Sequence, residues 1–528
     1  MSDWSMTRTI MKRISTAIFL SLLLFLNAAA VPAQSNTLAQ RIQAIMDRPE
    51  FKHALFGIEF YSLDKNKVVY GINADKLFTP GSTTKLLTEG TALSLLGADY
   101  RFHTRVYRTG RIDEEGALDG DLILVASGDP NLSGRIKDDG TLAFENEDHS
   151  YDGDPNTRAV PGDPLMVIRR LAQQVAAKGI KKIRGNIIVD ASMFREGARE
   201  LGTGVVMSPI VINDNIIDVV VTPGPSEGAP AAFTSSPTTS YVTFANKVKT
   251  GKPESEPDIR FINNPSGPEG TQNLTITGSF PAGKSPILFK YVIPSPTRFA
   301  QTVFTEALKE KGIAIEPQPG FRDLNLLAAS YVPEQMIAEH VSLPLKEEIK
   351  VTLKVSQNLH ASITPLILGA VLAPKSTERT GFDLEKDFLV NAGLDPLGAQ
   401  QADGAGGNAH FSPEFMVSFL TYMSKQKDFQ VFHDALPILG RDGTLFDIQT
   451  QSPAAGNVHA KTGTFSVNDP LNRRLLVTGK GLAGYMKTRK GERLAFAIYI
   501  NNVSVPTTGD SVKKIVGQAV GEIAAAAY

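Results

Sequence analysis

The 528-residue chain contains no cysteine. This absence excludes disulfide bonds, thiolate metal sites, cysteine nucleophiles and anchoring through a lipidated N-terminal cysteine. The chain also has almost no net charge, since 54 Lys and Arg residues are balanced by 55 Asp and Glu residues. A nucleic-acid-binding protein normally carries a basic excess, so we expect no nucleic-acid partner. With 42% hydrophobic and 21% charged residues, the composition is that of a globular protein.

A long apolar segment occurs near the N-terminus and nowhere later in the sequence. Arg8, Lys12 and Arg13 precede an apolar-dominated run over 14–26, and small residues follow at 27–34. A basic region, a short apolar core and small residues before a cleavage site are typical of a secretory signal peptide. The run is shorter than the roughly 20 residues that span a bilayer.

We therefore predict a signal peptide over 1–33, cleaved after Ala33 or, as the alternative, after Ala30. A retained membrane anchor is the other interpretation of this segment. Cleavage after Ala33 removes three basic residues and Asp3, which leaves a net charge of −3. We expect a periplasmic or otherwise exported protein without a stable membrane span after cleavage.

The order of predicted elements indicates one α/β domain split by an insertion. A helix over 37–46 and a β-hairpin that turns at 64–66 open the mature chain, and strands followed by a helix over 509–526 close it. Residues 223–270 have the densest use of Pro, Gly, Ser and Thr, which indicates an inserted β-rich region. The predicted domains are a catalytic domain (34–103 and 335–528), an inserted β-rich domain (104–129 and 210–334) and a second domain nested within the insertion (130–209).

The first candidate motif is Ser82-x-x-Lys85. Pro80 and Gly81 mark a turn directly before it, and helical periodicity begins directly after it. A serine at a helix start lies at the positive end of the helix dipole, and a residue three positions later lies on the same face. That spacing lets the Lys85 amine reach the Ser82 hydroxyl. Taken alone, a plain helix N-cap is the simpler interpretation of Ser82.

The same pattern occurs three more times without such a helix start. Ser62 lies in the predicted hairpin, whereas Ser424 and Ser511 stand beside further lysines on helical faces that we expect to be solvated. We therefore choose Ser82.

The second candidate motif is Ser356-Gln357-Asn358. It follows a segment over 345–353 in which apolar residues repeat every four positions, so it lies at a helix end or between two helices. A hydroxyl and an amide two residues apart in such a turn can both face a cleft. An ordinary helix-end cap is the alternative.

The third candidate motif is Lys461-Thr462-Gly463-Thr464, which follows a turn and enters a predicted strand. Gly463 has no Cβ, so a substrate backbone can approach closely. A solvated edge strand is the alternative interpretation. A second Lys-Thr-Gly at 249–251 is flanked by further lysines and precedes every usable Ser-x-Asn, so we dismiss it.

The three motifs in this order resemble those of the penicillin-binding proteins and serine β-lactamases. The spacing of 274 positions between Ser82 and Ser356 resembles that of one class in particular, which has a large insertion between these two motifs. This is class C of the low-molecular-weight penicillin-binding proteins, the D-alanyl-D-alanine carboxypeptidase/endopeptidase (penicillin-binding protein 4-like) family. Further stretches that look like this family are 78–88, 127–132, 185–194, 213–221, 436–445 and 482–485.

The resemblance implies an α/β (α+β) fold. Its transpeptidase-like domain would have a central antiparallel sheet and a helical subdomain, interrupted by β-rich inserted domains. It also implies a serine-type D-Ala-D-Ala carboxypeptidase and/or endopeptidase that acts on peptidoglycan stem peptides through an acyl-enzyme and is inhibited by β-lactam antibiotics. A serine β-lactamase or an esterase of the same superfamily is the alternative among enzymes, and a non-catalytic cell-wall binding protein is the alternative outside them.

The resemblance also implies roles for individual residues. Burial and the second cation at Lys461 should lower the pKa of Lys85, which would let it act as a base. The expected oxyanion hole consists of the backbone N–H groups of Ser82 and Thr464. The catalytic residues are Ser82, Lys85 and Ser356, and the substrate-binding residues are Asn358, Lys461, Thr462, Gly463 and Thr464.

No cofactor is expected. The eight histidines show no His-Glu-x-x-His arrangement, so we also expect no metal, and we interpret His459 as structural.

Three departures from the family pattern bear on substrate preference. Ala405 stands where the family usually has a serine, in Asp-Gly-Ala-Gly-Gly at 403–407. The segment 139–165 is predicted to be an acidic surface loop that is longer than usual. About 17 residues at 465–481 are predicted to enlarge a loop beside the cleft.

Overall fold

The computed structural model describes residues 37–320, 322–374, 376–507 and 511–528. The predicted signal peptide lies outside the described residues. Within the described part of the chain, no helix is both long enough and apolar enough to cross a membrane.

Helices flank the sheets near both ends of the chain and dominate between residues 345 and 434. In chain order they are α1 (Leu38–Met46), α2 (Thr84–Leu96), α3 (Met166–Ala177), α4 (Pro296–Glu310), α5 (Leu324–Leu327), α6 (Leu345–Lys354), α7 (Asn358–Leu372), α8 (Gly381–Asn391), α9 (Pro413–Met423), α10 (Phe429–Asp434) and α11 (Gln518–Ala526).

Strands form several separate sheets. In chain order they are β1 (Leu55–Ser62), β2 (Lys67–Ile72), β3 (His103–Arg108), β4 (Arg111–Ile112), β5 (Ala117–Asp119), β6 (Leu122–Val125), β7 (Lys182–Ile183), β8 (Ile187–Asp190), β9 (Ile216–Thr222), β10 (Ala232–Ser236), β11 (Val242–Gly251), β12 (Asp258–Asn263), β13 (Gln272–Pro281), β14 (Ile287–Val292), β15 (Ala314–Ile315), β16 (Met336–Val341), β17 (Ala399–Gln401), β18 (Ala409–Phe411), β19 (Val458–Asp469), β20 (Arg474–Lys487), β21 (Arg493–Asn501) and β22 (Val503–Pro506).

The central sheet combines the first and last strands of the chain. Its order is β19-β20-β21-β1-β2, with β22 paired to β20, and all neighbouring strands are antiparallel. Both faces of β21 are buried, because Ala497 and Tyr499 share a core with α9 while Ile498 and Ile500 share one with α1 and α11. Burial on both faces explains why this strand is continuously apolar rather than alternating.

The helix that follows Ser82 lies inside the helical subdomain. Every residue of α2 from Thr84 to Leu93 is buried, and the helix contacts α6, α7 and α8. It also approaches α9 closely, since a Cβ on Gly90 would lie 2.6 Å from the ring of Phe419. Charged side chains on this helix are therefore held away from bulk water.

The insertion begins and ends on paired strands. Strands β3 and β16 are antiparallel neighbours in a sheet of order β16-β3-β6-β8, against which α3 and α4 pack. Strands β6 and β8 lie on opposite sides of the predicted 129/130 boundary, yet they pair in parallel. The segment 130–209 thus shares a sheet with 104–129, and the predicted division into domains stays a prediction.

The predicted acidic surface loop at 139–165 is wrong for its central part. Asp148, His149 and Ser150 are no more than 2% exposed. The physical reason is that Arg135 is also buried and supplies the countercharge for Asp148.

The predicted enlarged loop at 465–481 is also wrong. Strands β19 and β20 continue as a hairpin through the pair Asp469–Arg474, and β22 adds a further pairing along β20. Backbone pairing builds the end of this extension, and Val477 on β20 belongs to the same buried core as α1 and α11.

Candidate active site

The local turn at Ser82 brings this serine against Lys85. A single 3-10 turn over Gly81–Thr83 precedes α2, so the two side chains project from one helical surface. Lys85 Nζ donates a hydrogen bond of 2.6 Å to Ser82 Oγ.

The second motif lies between α6 and α7, as predicted. Ser356 has a φ of 62°, in the left-handed region that non-glycine residues rarely adopt. Lys85 Nζ lies 2.6 Å from Asn358 Oδ1 and 3.2 Å from Ser356 Oγ. One amine therefore contacts both motifs.

The third motif is on β19, at the edge of the central sheet, and packs against the turn of the first. A Cβ on Gly463 would lie 2.0 Å from the Pro80 carbonyl oxygen and 2.9 Å from the Ser82 nitrogen. Conversely, a Cβ on Gly81 would lie 2.5 Å from the Thr464 nitrogen. Only glycine fits on either side, so the backbone nitrogens of Ser82 and Thr464 lie close together.

A cleft of about 630 Å³ collects residues from all three motifs. Lys461 is buried, and its Nζ donates to the Thr462 carbonyl oxygen over 2.9 Å. Within the described part of the chain, no hydrogen bond joins Lys461 to Ser82 or Ser356. The motif residues that line the cleft are Ser82, Ser356, Asn358, Thr462 and Thr464.

Burial lowers the pKa of Lys85 to about 7, although the carboxylates of Glu200, Asp403 and Glu89 act in the opposite direction. A substantial fraction of the amine is therefore neutral near neutral pH. The predicted effect of burial on this lysine is present.

Burial, Lys85 and Lys480 together hold the pKa of Lys461 well below its usual range. Lys461 is not among the causes of the shift at Lys85, so the predicted contribution of this second cation stays a prediction.

Glu89 lies one turn after Lys85 on α2 and is 1% exposed. Burial, together with the charge of Glu348, raises the pKa of Glu89 to about 8. The carboxyl group is then mainly protonated at neutral pH and does not hold Lys85 as an ammonium ion.

A buried network of charged side chains contacts the second motif through Gln357. Gln357 Nε2 donates to Asp148 Oδ1 over 3.0 Å. Arg135 in turn contacts Asp148 at 2.7 Å and Asp214 at 2.6 Å. The side chains of Arg135, Asp148 and Asp214 are each 1% exposed, so these charges depend on one another.

Two histidines extend this network. His149 lies between Asp214 and Asp218, at 2.6 and 2.8 Å, and His360 lies between Asp214 and Glu348, at 2.8 and 2.7 Å. Burial acts to lower the pKa of both histidines, but these carboxylates outweigh it and raise the pKa to about 10. Both rings are therefore imidazolium cations that neutralise the buried carboxylates.

Three members of the network have metal-ligand spacing: Asp148, His149 and Asp214. Their oxygen and nitrogen atoms are already engaged in ion pairs with one another, with Arg135 and with His360. The donor set therefore functions as an ion-pair network.

Sequence reasoning missed the residues that hold Ser356 in place. Tyr151 lines the cleft, and its hydroxyl donates to the Ser356 carbonyl oxygen over 2.6 Å. Asp214 belongs to the family-like stretch at 213–221, which was the available signal. Neither sequence position nor polarity connects Tyr151 or Arg135 with the second motif.

The substitution at Ala405 leaves the surrounding turn intact. The Asp403 carboxylate accepts the N–H groups of Ala405 and Asn408 over 2.8 and 2.7 Å. The Ala405 carbonyl oxygen lies 3.4 Å from Lys85 Nζ. The backbone, not the missing hydroxyl, contacts the lysine.

Two of the rejected motifs lie elsewhere. Ser62 Oγ donates to Glu492 over 2.6 Å, and Lys65 pairs with the same carboxylate. The second Lys-Thr-Gly ends β11, in the insertion. His459 stacks on His433 with a centroid distance of 4.2 Å, in agreement with a structural role.

The sequence profile of the D-Ala-D-Ala carboxypeptidase 3 (S13) family matches residues 38–525. The chain belongs to this family. It is a hydrolase of the serine D-Ala-D-Ala peptidase type, which confirms the predicted family and enzyme class.

Relatives support this assignment over most of the chain. A D-alanyl-D-alanine carboxypeptidase of Actinomadura sp. (strain R39) is 26% identical over 502 residues, 91% of this chain and 84% of the relative. The D-alanyl-D-alanine carboxypeptidase DacB of Haemophilus influenzae is 26% identical over 477 residues, 86% of each protein. The crystal structure of penicillin-binding protein 4 (dacB) from Haemophilus influenzae matches with a TM-score of 0.69 at 20% identity, covering 92% of this chain and 98% of that one. The predicted fold class is thereby confirmed.

Proposed function

We propose that this cleft cleaves the peptide bond between two D-alanines of peptidoglycan stem peptides through an acyl-enzyme on Ser82. The observation that carries the proposal is the 2.6 Å contact of Lys85 Nζ with Ser82 Oγ, made by an amine whose pKa burial lowers to about 7. A serine hydroxyl is a poor nucleophile and needs such a base within hydrogen-bond reach.

Acylation begins when Lys85 takes the Ser82 proton and Oγ attacks the scissile carbonyl carbon. The N–H groups of Ser82 and Thr464 donate to the oxyanion, and losing one such donor costs about 3–4 kcal/mol in comparable enzymes. The C–N bond then breaks, and the leaving amine needs a proton. Ser356, whose hydroxyl lies 3.2 Å from Lys85 Nζ, relays that proton from the ammonium group to the amine. Water then hydrolyses the ester and frees Ser82.

Substrate binding falls to the remaining motif residues. Asn358 lines the cleft, and because its Oδ1 accepts a hydrogen bond from Lys85, its amide N–H groups remain available as donors to a substrate. Thr462 and Thr464 line the cleft along the edge of β19. The prediction that Gly463 makes room for the substrate backbone is wrong, because the space that its Cβ would occupy is filled by the Pro80 carbonyl oxygen and the Ser82 nitrogen. Lys461 is buried behind them, and its Nζ donates to the Thr462 carbonyl oxygen.

Penicillin would acylate Ser82 in the same way. A structure of the Haemophilus influenzae penicillin-binding protein 4 in complex with a β-lactam, with a TM-score of 0.66 to this chain, supports this part of the proposal. The predicted signal peptide supports export, and the periplasm is where such a substrate would be met.

Product analysis tests the proposal. Purified protein is incubated with pentapeptide monomers and cross-linked dimers of peptidoglycan, and the products are identified by mass spectrometry. Loss of one D-alanine indicates carboxypeptidase activity, and conversion of dimers to monomers indicates endopeptidase activity. Ser82→Ala should abolish both, whereas the control Ser62→Ala should retain them. Unchanged muropeptides with rapid turnover of penicillin would assign a β-lactamase instead and overturn the proposal.

A further inference from the structure

A small cavity lies between α6 and the sheet of the insertion that contains β6 and β16. Asp129 and Asn131 line it from the loop after β6, His340 from β16 and Glu348 from α6. Its volume allows about one ion or one water molecule. The family-like stretch 127–132 supplies two of these residues, and no step of the proposed reaction uses them.

Three polar atoms at this cavity have no hydrogen-bond partner among the described residues: Asp129 Oδ2, Asn131 Oδ1 and His340 Nε2. Asp129 and Asn131 are only 2% and 5% exposed. Asp129 Oδ1 accepts the Asn131 backbone N–H over 2.9 Å, and Glu348 accepts a hydrogen bond from Asn131 Nδ2. Each of these two side chains is therefore held through one polar atom, and its other polar atom is left for a ligand in the cavity.

The contact between His340 and Asp129 has the length expected for two ligands of one metal ion. His340 Nε2 and Asp129 Oδ2 lie 3.4 Å apart and form no hydrogen bond. Nitrogen and oxygen ligands at 2.0–2.2 Å from a tetrahedral Zn²⁺ are about 3.3–3.5 Å from each other. By contrast, His149 contacts Asp214 at 2.6 Å and Asp218 at 2.8 Å, which are the separations of direct ion pairs.

The charge at the cavity also favours a cation. Within the described part of the chain, no Lys or Arg lies within 4.0 Å of the Asp129 carboxylate, and its one contact with a basic group is that with His340. A buried carboxylate needs a countercharge, which a water molecule does not supply. An imidazolium at His340 would donate to this carboxylate, yet the two groups form no hydrogen bond. Imidazole nitrogen with carboxylate and amide oxygens suits zinc or a similar divalent transition metal.

We propose that Asp129, Asn131 and His340 bind one divalent transition-metal ion of the Zn²⁺ type. The ion holds the loop after β6 against β16 and, through the contact of Asn131 with Glu348, against α6. It is a structural ion and takes no part in the reaction at Ser82, so this inference does not depend on the proposed function. The absence of a His-Glu-x-x-His arrangement does not bear on such a site, because its ligands come from separate segments of the chain.

Metal analysis of the full-length protein without an affinity tag tests the inference. The protein is treated with EDTA, incubated with ZnCl₂ and freed of unbound metal by gel filtration, and its zinc content is measured by mass spectrometry. The wild type should hold about one Zn²⁺ per chain, whereas His340→Gln and Asp129→Asn should each hold less than about a tenth of that. His103→Gln is the matched control, since His103 is an exposed histidine on the neighbouring strand β3 and lies outside the cavity. It should retain the full zinc content.

A measurement on the wild type alone covers the case in which a variant fails to fold. Saturating Zn²⁺ should raise the midpoint of thermal unfolding by several degrees above that of the EDTA-treated protein, because an ion that binds only the folded state stabilises it. Mg²⁺ at the same concentration should not, since it prefers a site made of oxygen ligands alone.

Three results would contradict the inference. The first is a wild type that holds no zinc after incubation. The second is equal zinc in the wild type and His340→Gln, which would show that the ion binds elsewhere. The third is a wild-type unfolding midpoint that does not change with Zn²⁺ or that changes equally with Mg²⁺.

Discussion

Ser82 and Lys85 are three residues apart and meet through one helical turn, whereas Ser356 and Asn358 depend on side chains from distant parts of the chain. Gln357 is separated by 209 positions from Asp148, which it contacts, and Ser356 by 205 positions from Tyr151. The first pair needs only the start of α2. The second needs the inserted region to be folded against the helical subdomain.

This difference shows that the insertion forms part of the active site. Ser356 is held in a left-handed conformation that costs about 1–2 kcal/mol for a non-glycine residue, so surrounding contacts must maintain it. Those contacts come from Tyr151 and, through Gln357, from the buried network around Arg135. Mutations of the Ser82–Lys85 pair should therefore mainly lower the reaction rate. Mutations of the contacts that hold Ser356 should mainly lower the stability of the fold.

The largest effect on activity is expected from the Ser82–Lys85 pair. Lys85→Met removes the base and should slow acylation by penicillin about 10²- to 10⁴-fold, the usual contribution of a general base. The free energy of unfolding should not fall, because an apolar side chain replaces a buried amine. Acylation followed with fluorescent penicillin, together with thermal unfolding, measures both. Lys65→Met, in the rejected motif, is the control, and equal rates in the two variants would contradict the assignment.

The largest effect on stability is expected from the buried charges that support Ser356 and Asn358. Arg135→Met leaves Asp148 and Asp214 without their main cation and should lower the free energy of unfolding by about 3–5 kcal/mol. Urea unfolding measures this loss. The control Arg169→Met removes an exposed pair with Asp163 and should cost about 1 kcal/mol or less. Similar losses in both variants would show that the network contributes no special stability.

A smaller effect on activity is expected from Tyr151→Phe. It removes the hydrogen bond to the Ser356 carbonyl oxygen, which is worth about 0.5–1.5 kcal/mol, and should slow acylation by about 2- to 10-fold. Stopped-flow acylation by a reporter penicillin measures the rate, and Tyr70→Phe on β2 serves as the control. An unchanged rate would show that the turn does not need this contact.

The smallest expected effect is a change in the pH dependence of the acylation rate. Acylation should rise as the pH increases through about 7, because the reactive form of Lys85 is the neutral amine. Glu200→Gln removes a negative charge that raises the pKa of Lys85, so the midpoint of the profile should shift slightly to lower pH. Rates measured from pH 5 to 9 test this, and a shift to higher pH would contradict it.

The same lysine links pH to stability. The pKa of Lys85 is about 7 in the folded protein against 10.5 for the ordinary group. The unfolded chain therefore binds more protons between these values, and the contribution of Lys85 to stability rises with pH across that window.

Sequence reasoning was most successful where local pattern determines structure. The hairpin of β1 and β2, helix α1 and the turn before α7 all follow from periodicity and turn residues, and the contact of Lys85 with Ser82 follows from helical spacing. The burial of Asp148 could not be predicted, because a run of acidic residues indicates solvent unless its countercharge, here Arg135, is known. The sequence did not indicate that Lys480 lines the cleft, because only the strand register places this residue beside Thr464.

The most direct test of the account is to locate the covalent adduct formed with penicillin. Wild-type protein is treated with benzylpenicillin, digested with pepsin and analysed by tandem mass spectrometry. The account predicts one penicilloyl group per chain, on Ser82, and none on the Ser82→Ala variant. An adduct on Ser62, Ser356 or any other residue, or the absence of a covalent adduct, would contradict it.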